Sequence, residues 1–265
     1  MFFFSYKMKK AIKIPVITLL LLLLFVQGKR LPVNLPNNAF KGGEKLDYVL
    51  HYGFIVGGVA TLSVIEKEIN GKKIYYAKTT AKSVGMCDRI FKVKDIYESF
   101  FDAETGLPYK AKRHVKESSY EDYNELKFNH SSGTVESKKS GVKQIPDNCF
   151  DIVSAFYYIR RYDFKDIQPG DIIKMNAYFE DKNYPFEIRY RGREVIKCKV
   201  GKVQCLKFNP VVEPGRIFDT EDDLKIWITD DKNHIPVRVQ FDFIVGSVKC
   251  DLVEYSGLKN NFAKL

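Results

Sequence analysis

The sequence lacks the motifs that mark common hydrolases and nucleotide-binding proteins. It contains no G-x-S-x-G for a serine nucleophile, no H-E-x-x-H for zinc and no G-x-x-x-x-G-K-[ST] to cradle phosphates. Histidine is scarce. His51, His114 and His130 fall in strand-like stretches and His234 in a turn, none in the setting of a nucleophile–base pair. No C-x-x-C occurs, and no Cys/His set has the spacing of a zinc site. The acidic runs Glu221-Asp222-Asp223 and Asp230-Asp231 do not fit a calcium loop, whose sixth position needs glycine. The sequence therefore offers no catalytic residue, no metal-ligand set and no cofactor motif. Carboxylate pairs assemble in space rather than along the chain, so a hydrolase of glycan or lipid stays open on this reading.

Cysteine is also absent early. The first is Cys87, so no cysteine lies near the expected cleavage point and a lipid-anchored lipoprotein is not expected. Lys7, Lys9, Lys10 and Lys13 precede Ile14–Val26, an apolar run of 13 residues, and small Gly28 follows. That order predicts a secretory signal peptide over residues 1–28, since the run is short for a membrane span. The mature chain is then exported to the periplasm or cell envelope, able to associate with a membrane but not to span it. The formal charge of +10 falls to +6 once those four lysines are removed. In an exported protein this points to anionic lipid head groups, acidic polysaccharide or no specific partner, rather than nucleic acid. Five cysteines leave at least one thiol unpaired. Cys198 and Cys205 flank Gly201-Lys202; a hairpin centred there would face them for a disulfide, and two reduced, buried thiols fit equally well.

Most of the remaining chain alternates apolar and polar residues, as in "KLDYVLHYGFIV", "DIYESFF" and "PVRVQFDFIV". Turn residues punctuate it at Gly57-Gly58, Asn70-Gly71, Ser132-Gly133, Gly201-Lys202 and Gly246-Ser247. With 20 Phe and 16 Tyr, the pattern predicts a mainly β protein. The fold expected is a curved antiparallel sheet or unclosed β-barrel. Its core domain spans 43–258, preceded by a flexible lead-in over 29–42. "FFDAETGLPYKAK" and "WITDDKNHIPVRV" share a strand, an Asp, a polar loop, an aliphatic-Pro pair and a second strand. Pro236 follows Pro108 by 128 residues, and Gly170 follows Gly43 by 127. These offsets suggest two similar halves, about 43–147 and 164–258. "YKAKRHVK" sets Lys110, Lys112, His114 and Lys116 on one strand face, for solvent, edge protection or phosphate.

Between the halves, "NCFDIVSAFYYIRRYDF" predicts one central helix over about 148–163, capped by Asn148 with Asp151 as the acidic capping partner. Arg160 and Arg161 fall in its last turn, where cations suit the helix dipole. Asp151, Tyr157, Tyr158, Arg160 and Arg161 are the candidate ligand-binding residues of a plug-like helix.

"GEKLDYVLHYGFIVGGVATLSV", "DIVSAFYYIRR", "GKVQCLKFNP" and "IWITDDKNHIPVRV", in this order, resemble the uncharacterised bacterial envelope family named domain of unknown function 3108. The resemblance runs from about Gly43 to Tyr255 and implies no activity. The Asp102–Pro108 and Asp230–Pro236 turns look loosely like those of periplasmic lipoprotein-carrier proteins, unclosed barrels that cup acyl chains around a helix. The function expected is a binding module for a lipid or other lipophilic envelope component. A hydrolase acting on envelope glycan or lipid and a structural or partner-docking protein are the alternatives.

Overall fold

The computed structural model describes residues 29–31, 34–211, 223–243 and 246–265; the signal-peptide segment expected over 1–28 lies outside them. Strand β1 (Lys29–Arg30) is followed by β2 (Glu44–Tyr52), β3 (Ile55–Ile69) and β4 (Lys72–Ser83), then by helix α1 (Gly85–Ile90). Next come β5 (Val93–Asp102), β6 (Pro108–Glu117), β7 (Tyr120–Asn129), β8 (Thr134–Ser137), β9 (Gly141–Gln144) and β10 (Cys149–Phe150). Helix α2 (Ile152–Ile159) leads to β11 (Ile172–Phe179), β12 (Lys182–Cys198) and β13 (Gly201–Pro210). β14 (Leu224–Thr229), β15 (Pro236–Asp242) and β16 (Ser247–Ser256) complete the order.

All sixteen strands among the described residues join one sheet, in which β11 through β16 run side by side and β16 pairs with β2, which opens the run β2 through β9. Pairing is antiparallel except where β1 and β10 lie parallel to β11. Alternation explains the strands: on β5, Asp95, Tyr97, Ser99 and Phe101 are buried while their neighbours are less so. The sheet curls until the β11–β12 turn reaches the far strands. Glu180 Oε1 there accepts from Arg113 Nη2 at 3.2 Å, and Asp181 Oδ1 from Asn124 Nδ2 at 3.2 Å. β9 and β11 are not paired, so the sheet is unclosed, as expected for the fold.

The strand order contains two six-stranded meanders, β2–β7 and β11–β16. Gly43 and Gly170 open them with matching backbone, φ 93° and 97°. In the β5–β6 turn, Asp102 Oδ1 accepts from the amides of Glu104 and Thr105; in the β14–β15 turn, Asp231 Oδ1 accepts from those of Asn233 and His234. The residues that end these turns, Gly106 and His234, are both left-handed at φ 75° and 47°.

Several local expectations are corrected. Gly57-Gly58 is not a turn: the β2–β3 hairpin turns at Gly53-Phe54, and Gly57 is skipped in the register between Gly58 and Val56, a bulge. The β12–β13 loop is Lys199-Val200, two residues earlier than Gly201-Lys202. That register sets Cys198 opposite Gly201 and Cys205 opposite Glu194, and both thiols are free. Four residues along a strand is about 13 Å, beyond disulfide reach. The lead-in over 29–42 is anchored at its end. Ala39 and Phe40 are in the core, and Asn37 Nδ2 donates to Tyr75 Oη at 3.1 Å. Asn70-Gly71 does turn β3 into β4, with both residues left-handed as a two-residue hairpin loop demands.

Candidate functional site

Helix α2 lies inside the curl, against β4 and β5 on one side and β11 on the other. It is shorter than the 148–163 window and starts later, because Asp151 rather than Asn148 is the cap. Asp151 Oδ1 accepts from the amides of Val153 at 2.8 Å and Ser154 at 3.2 Å. Its other oxygen accepts from the Ser154 and Ser99 hydroxyls at 2.7 and 2.5 Å. Burial raises the Asp151 pKa, against the pull of those donors. Asn148 instead takes a left-handed turn, φ 52°, that carries the chain into β10.

The two adjacent arginines diverge. Arg160 is buried, and its guanidinium meets both Glu44 oxygens, at 2.7 and 2.8 Å, while Nε donates to the Asn233 carbonyl at 2.9 Å. Burial opposes its charge, and the Glu44 carboxylate more than offsets that, leaving its pKa raised. Arg161 instead donates to the carbonyls of Glu104 at 2.8 Å, Ala103 at 3.3 Å and Leu35 at 3.4 Å. Burial without a carboxylate contact lowers its pKa. One arginine thus clamps the β14–β15 turn and the next clamps the matching β5–β6 turn.

Tyr157 stacks among Phe40 and Phe101, with ring centroids 4.8 and 5.9 Å away. Tyr158 packs on Phe150 at 4.6 Å and lies over Gly106, where a Cβ would fall 2.5 Å from Tyr158 Cδ2. The five residues expected to face a ligand are therefore brought together around one helix, and each side chain is engaged with the protein itself. The open space beside α2 is a cavity of about 40 Å³ bordered by Tyr97, Ala111, Arg113, Asn124, Val153 and Phe179. Drug-sized ligand pockets run roughly 300–1,000 Å³, so this space holds a few waters rather than an acyl chain.

Two buried acids escaped the sequence reading. Asp95 and Glu117 share the inner face of β5 and β6. Asp95 Oδ1 accepts from the Lys116 amide at 3.2 Å, while Oδ2 has no partner among the described residues. Burial pushes Asp95 up to about 6; burial and the neighbouring Asp95 charge push Glu117 up to about 7. Their signal was the phase of β5, where Asp95 falls in step with Tyr97 and Phe101. Among the described residues, no group of three or more His, Cys, Asp or Glu is arranged to hold a metal.

The outer side differs. On β6, Lys110 pairs with Glu125 at 2.6 Å, and Lys116 and His114 both pair with Glu121, so that face is matched by acids on β7. At one end of the sheet, large apolar side chains stand in solvent. Phe54 on the β2–β3 turn is 95% exposed, and Met86 and Ile90 on α1 are each 74% exposed. Ile55, Val56 and Phe243 are exposed beside them. The three segments adjoin: a Cβ on Gly57 would lie 3.3 Å from Cys87 Sγ of α1, and one on Gly246 would lie 2.6 Å from Tyr52 Oη. Next to them an open groove of about 360 Å³ is lined by Lys82, Ser83, Gly85, Asp88, Lys92 and Lys94.

Solved structures similar to this one include a β-barrel-like protein of domain of unknown function DUF1849 from Brucella abortus. It has 12% identity and a TM-score of 0.49, with 81% of this chain and 97% of that one covered. A candidate lipoprotein from Parabacteroides distasonis has 9% identity and a TM-score of 0.36, covering 85% of this chain and 100% of that one. A candidate exported protein with YmcC-like fold from Bacteroides fragilis has 10% identity and a TM-score of 0.37, with the same coverage. No curated protein matches the sequence. No helix among the described residues is long and apolar enough to cross a membrane. The family profile described as protein of unknown function (DUF3108) matches residues 47–253, most of the chain, and the protein belongs to that family.

Proposed function

We propose that this is an exported cell-envelope protein that binds lipid, acting as a binding module rather than an enzyme. Export rests on the signal-peptide pattern of residues 1–28. In this reading the helix and the five residues in and beside it support the scaffold, and lipid is met at the outer end of the sheet. The observation that carries the reading is the convergence of Phe54, Ile55, Val56, Met86, Ile90 and Phe243, all exposed, from three separate segments. Singly exposed apolar residues are ordinary, but a contiguous cluster marks a surface meant to be covered. Amphipathic surfaces bind the headgroup–acyl boundary by burying such side chains.

The experiment is co-sedimentation of the purified exported protein with phosphatidylcholine vesicles containing phosphatidylglycerol. Pelleting that is lost in Phe54→Ser/Met86→Ser/Ile90→Ser is expected. A protein that stays in the supernatant with every vesicle overturns the reading.

A further inference from the structure

The groove beside the apolar cluster adds a second observation, independent of hydrophobic exposure. Lys82 on β4 and Lys94 on β5 are direct register partners, and Lys94 is in turn paired with Lys116 on β6. Like charges set directly opposite one another on a sheet destabilise it. Lys116 is relieved by Glu121 at 3.2 Å. Lys82 and Lys94 have no such relief: no carboxylate among the described residues pairs with them, with Lys92 at the groove wall, or with exposed Arg89 on α1. The groove's acid, Asp88, accepts instead from the Ser83 hydroxyl at 2.7 Å. Three lysines therefore line a groove that includes Gly85 and Asp88 of the short helix, which itself carries Arg89 and the exposed apolar Met86 and Ile90.

We propose that this groove seats the phosphate-bearing head groups of an anionic lipid surface. The inference rests on the lipid-binding reading and adds the headgroup class. Apolar side chains at the end of the sheet enter the acyl boundary, and Lys82, Lys92, Lys94 and Arg89 meet the phosphates at its surface. An anionic partner removes the like-charge cost that Lys82 and Lys94 carry in the free protein. Charge complementarity selects a membrane surface over a neutral apolar partner, because an apolar protein groove gives four unpaired cations nothing to meet. Each cation near an anionic membrane strengthens binding about fivefold. Removing three should weaken it on the order of a hundredfold, and the effect should fade as salt screens it.

The test compares binding of the exported protein to vesicles of phosphatidylcholine alone and of phosphatidylcholine with phosphatidylglycerol. Wild type should bind the anionic vesicles on the order of a hundredfold more tightly. Lys82→Gln/Lys92→Gln/Lys94→Gln should lose that preference at a melting temperature no lower than that of wild type, since the like-charge cost goes with the lysines, and the corresponding triple arginine variant, which keeps the charge, should retain it. Equal binding of wild type to both vesicles, or a glutamine variant that keeps the preference, overturns the headgroup inference and leaves lipid binding standing. Absence of binding to either vesicle overturns both.

Discussion

Arg160 and Glu44, 116 positions apart in the chain, meet through two parallel hydrogen bonds of 2.7 and 2.8 Å in a site closed to solvent. Glu44 opens the first strand of one half, and Arg160 follows the helix between the halves. Their pairing therefore fixes α2 against β2. Truncating one partner strands the other charge, so Arg160→Met should cost about 3–5 kcal/mol. Glu44→Met/Arg160→Met should recover a large part of that loss, because no buried charge then remains. Urea unfolding of both variants checks this; a double variant as unstable as the single one would contradict it.

Asp151 should behave as more than an ordinary helix cap. Asp151→Ala removes the acceptor for two amides and for the Ser99 and Ser154 hydroxyls, for a cost of about 2–4 kcal/mol. Asp151→Asn keeps an acceptor at both amides, and it loses no charge the site favours, since burial already raises the Asp151 pKa. It should cost about 1 kcal/mol. Denaturation midpoints at constant slope distinguish the two.

Asp95 and Glu117 should make stability fall as pH rises. Both hold their protons longer in the folded state, to about 6 and about 7, than in the unfolded chain. Their stabilising contribution is therefore complete below about pH 4 and is lost as pH climbs through the folded values. For Glu117 the loss is roughly 2–3 kcal/mol. Melting curves between about pH 4 and 8 should decline in wild type and flatten at the upper end in Glu117→Gln. Parallel curves would remove Glu117 from the account.

Gly106 and Gly141 share a φ of 75° but not their surroundings. A Cβ at Gly141 meets nothing within 4 Å, whereas one at Gly106 would strike the Tyr158 ring at 2.5 Å. Gly141→Ala should cost about 1 kcal/mol, the backbone penalty alone. Gly106→Ala should cost about 2–4 kcal/mol, since Tyr158 is held by Phe150 and cannot yield freely. Equal costs in thermal unfolding would mean that the helix shifts to make room.

Phe54, almost wholly in solvent, should be dispensable for folding. Phe54→Ser should leave stability within about 0.5 kcal/mol while weakening vesicle pelleting. A fall in melting temperature would point to a packing role instead.

The alternation of strand residues, the Asn70-Gly71 turn and the Pro108/Pro236 spacing decided a great deal on their own. Period-two patterning commits a residue to one face of a sheet, and that local rule needs no knowledge of distant contacts. The mainly β class was legible for that reason, and the one substantial helix was legible from its own capping residue and apolar face. Bulges and loop registers were less so: Gly57-Gly58 and Gly201-Lys202 carry turn chemistry, but cross-strand pairing moved both turns by a few residues, and with them the relation of Cys198 to Cys205. The use made of the charges, by contrast, depends on long-range packing. Nothing local distinguishes Arg160, which finds Glu44 across the core, from Arg161, which finds only carbonyls. Nothing local sets β3 beside α1, or Lys82 opposite Lys94. Ion pairs, buried acids and surface clusters depend on which strands the curl brings together, and that information is spread over the whole chain.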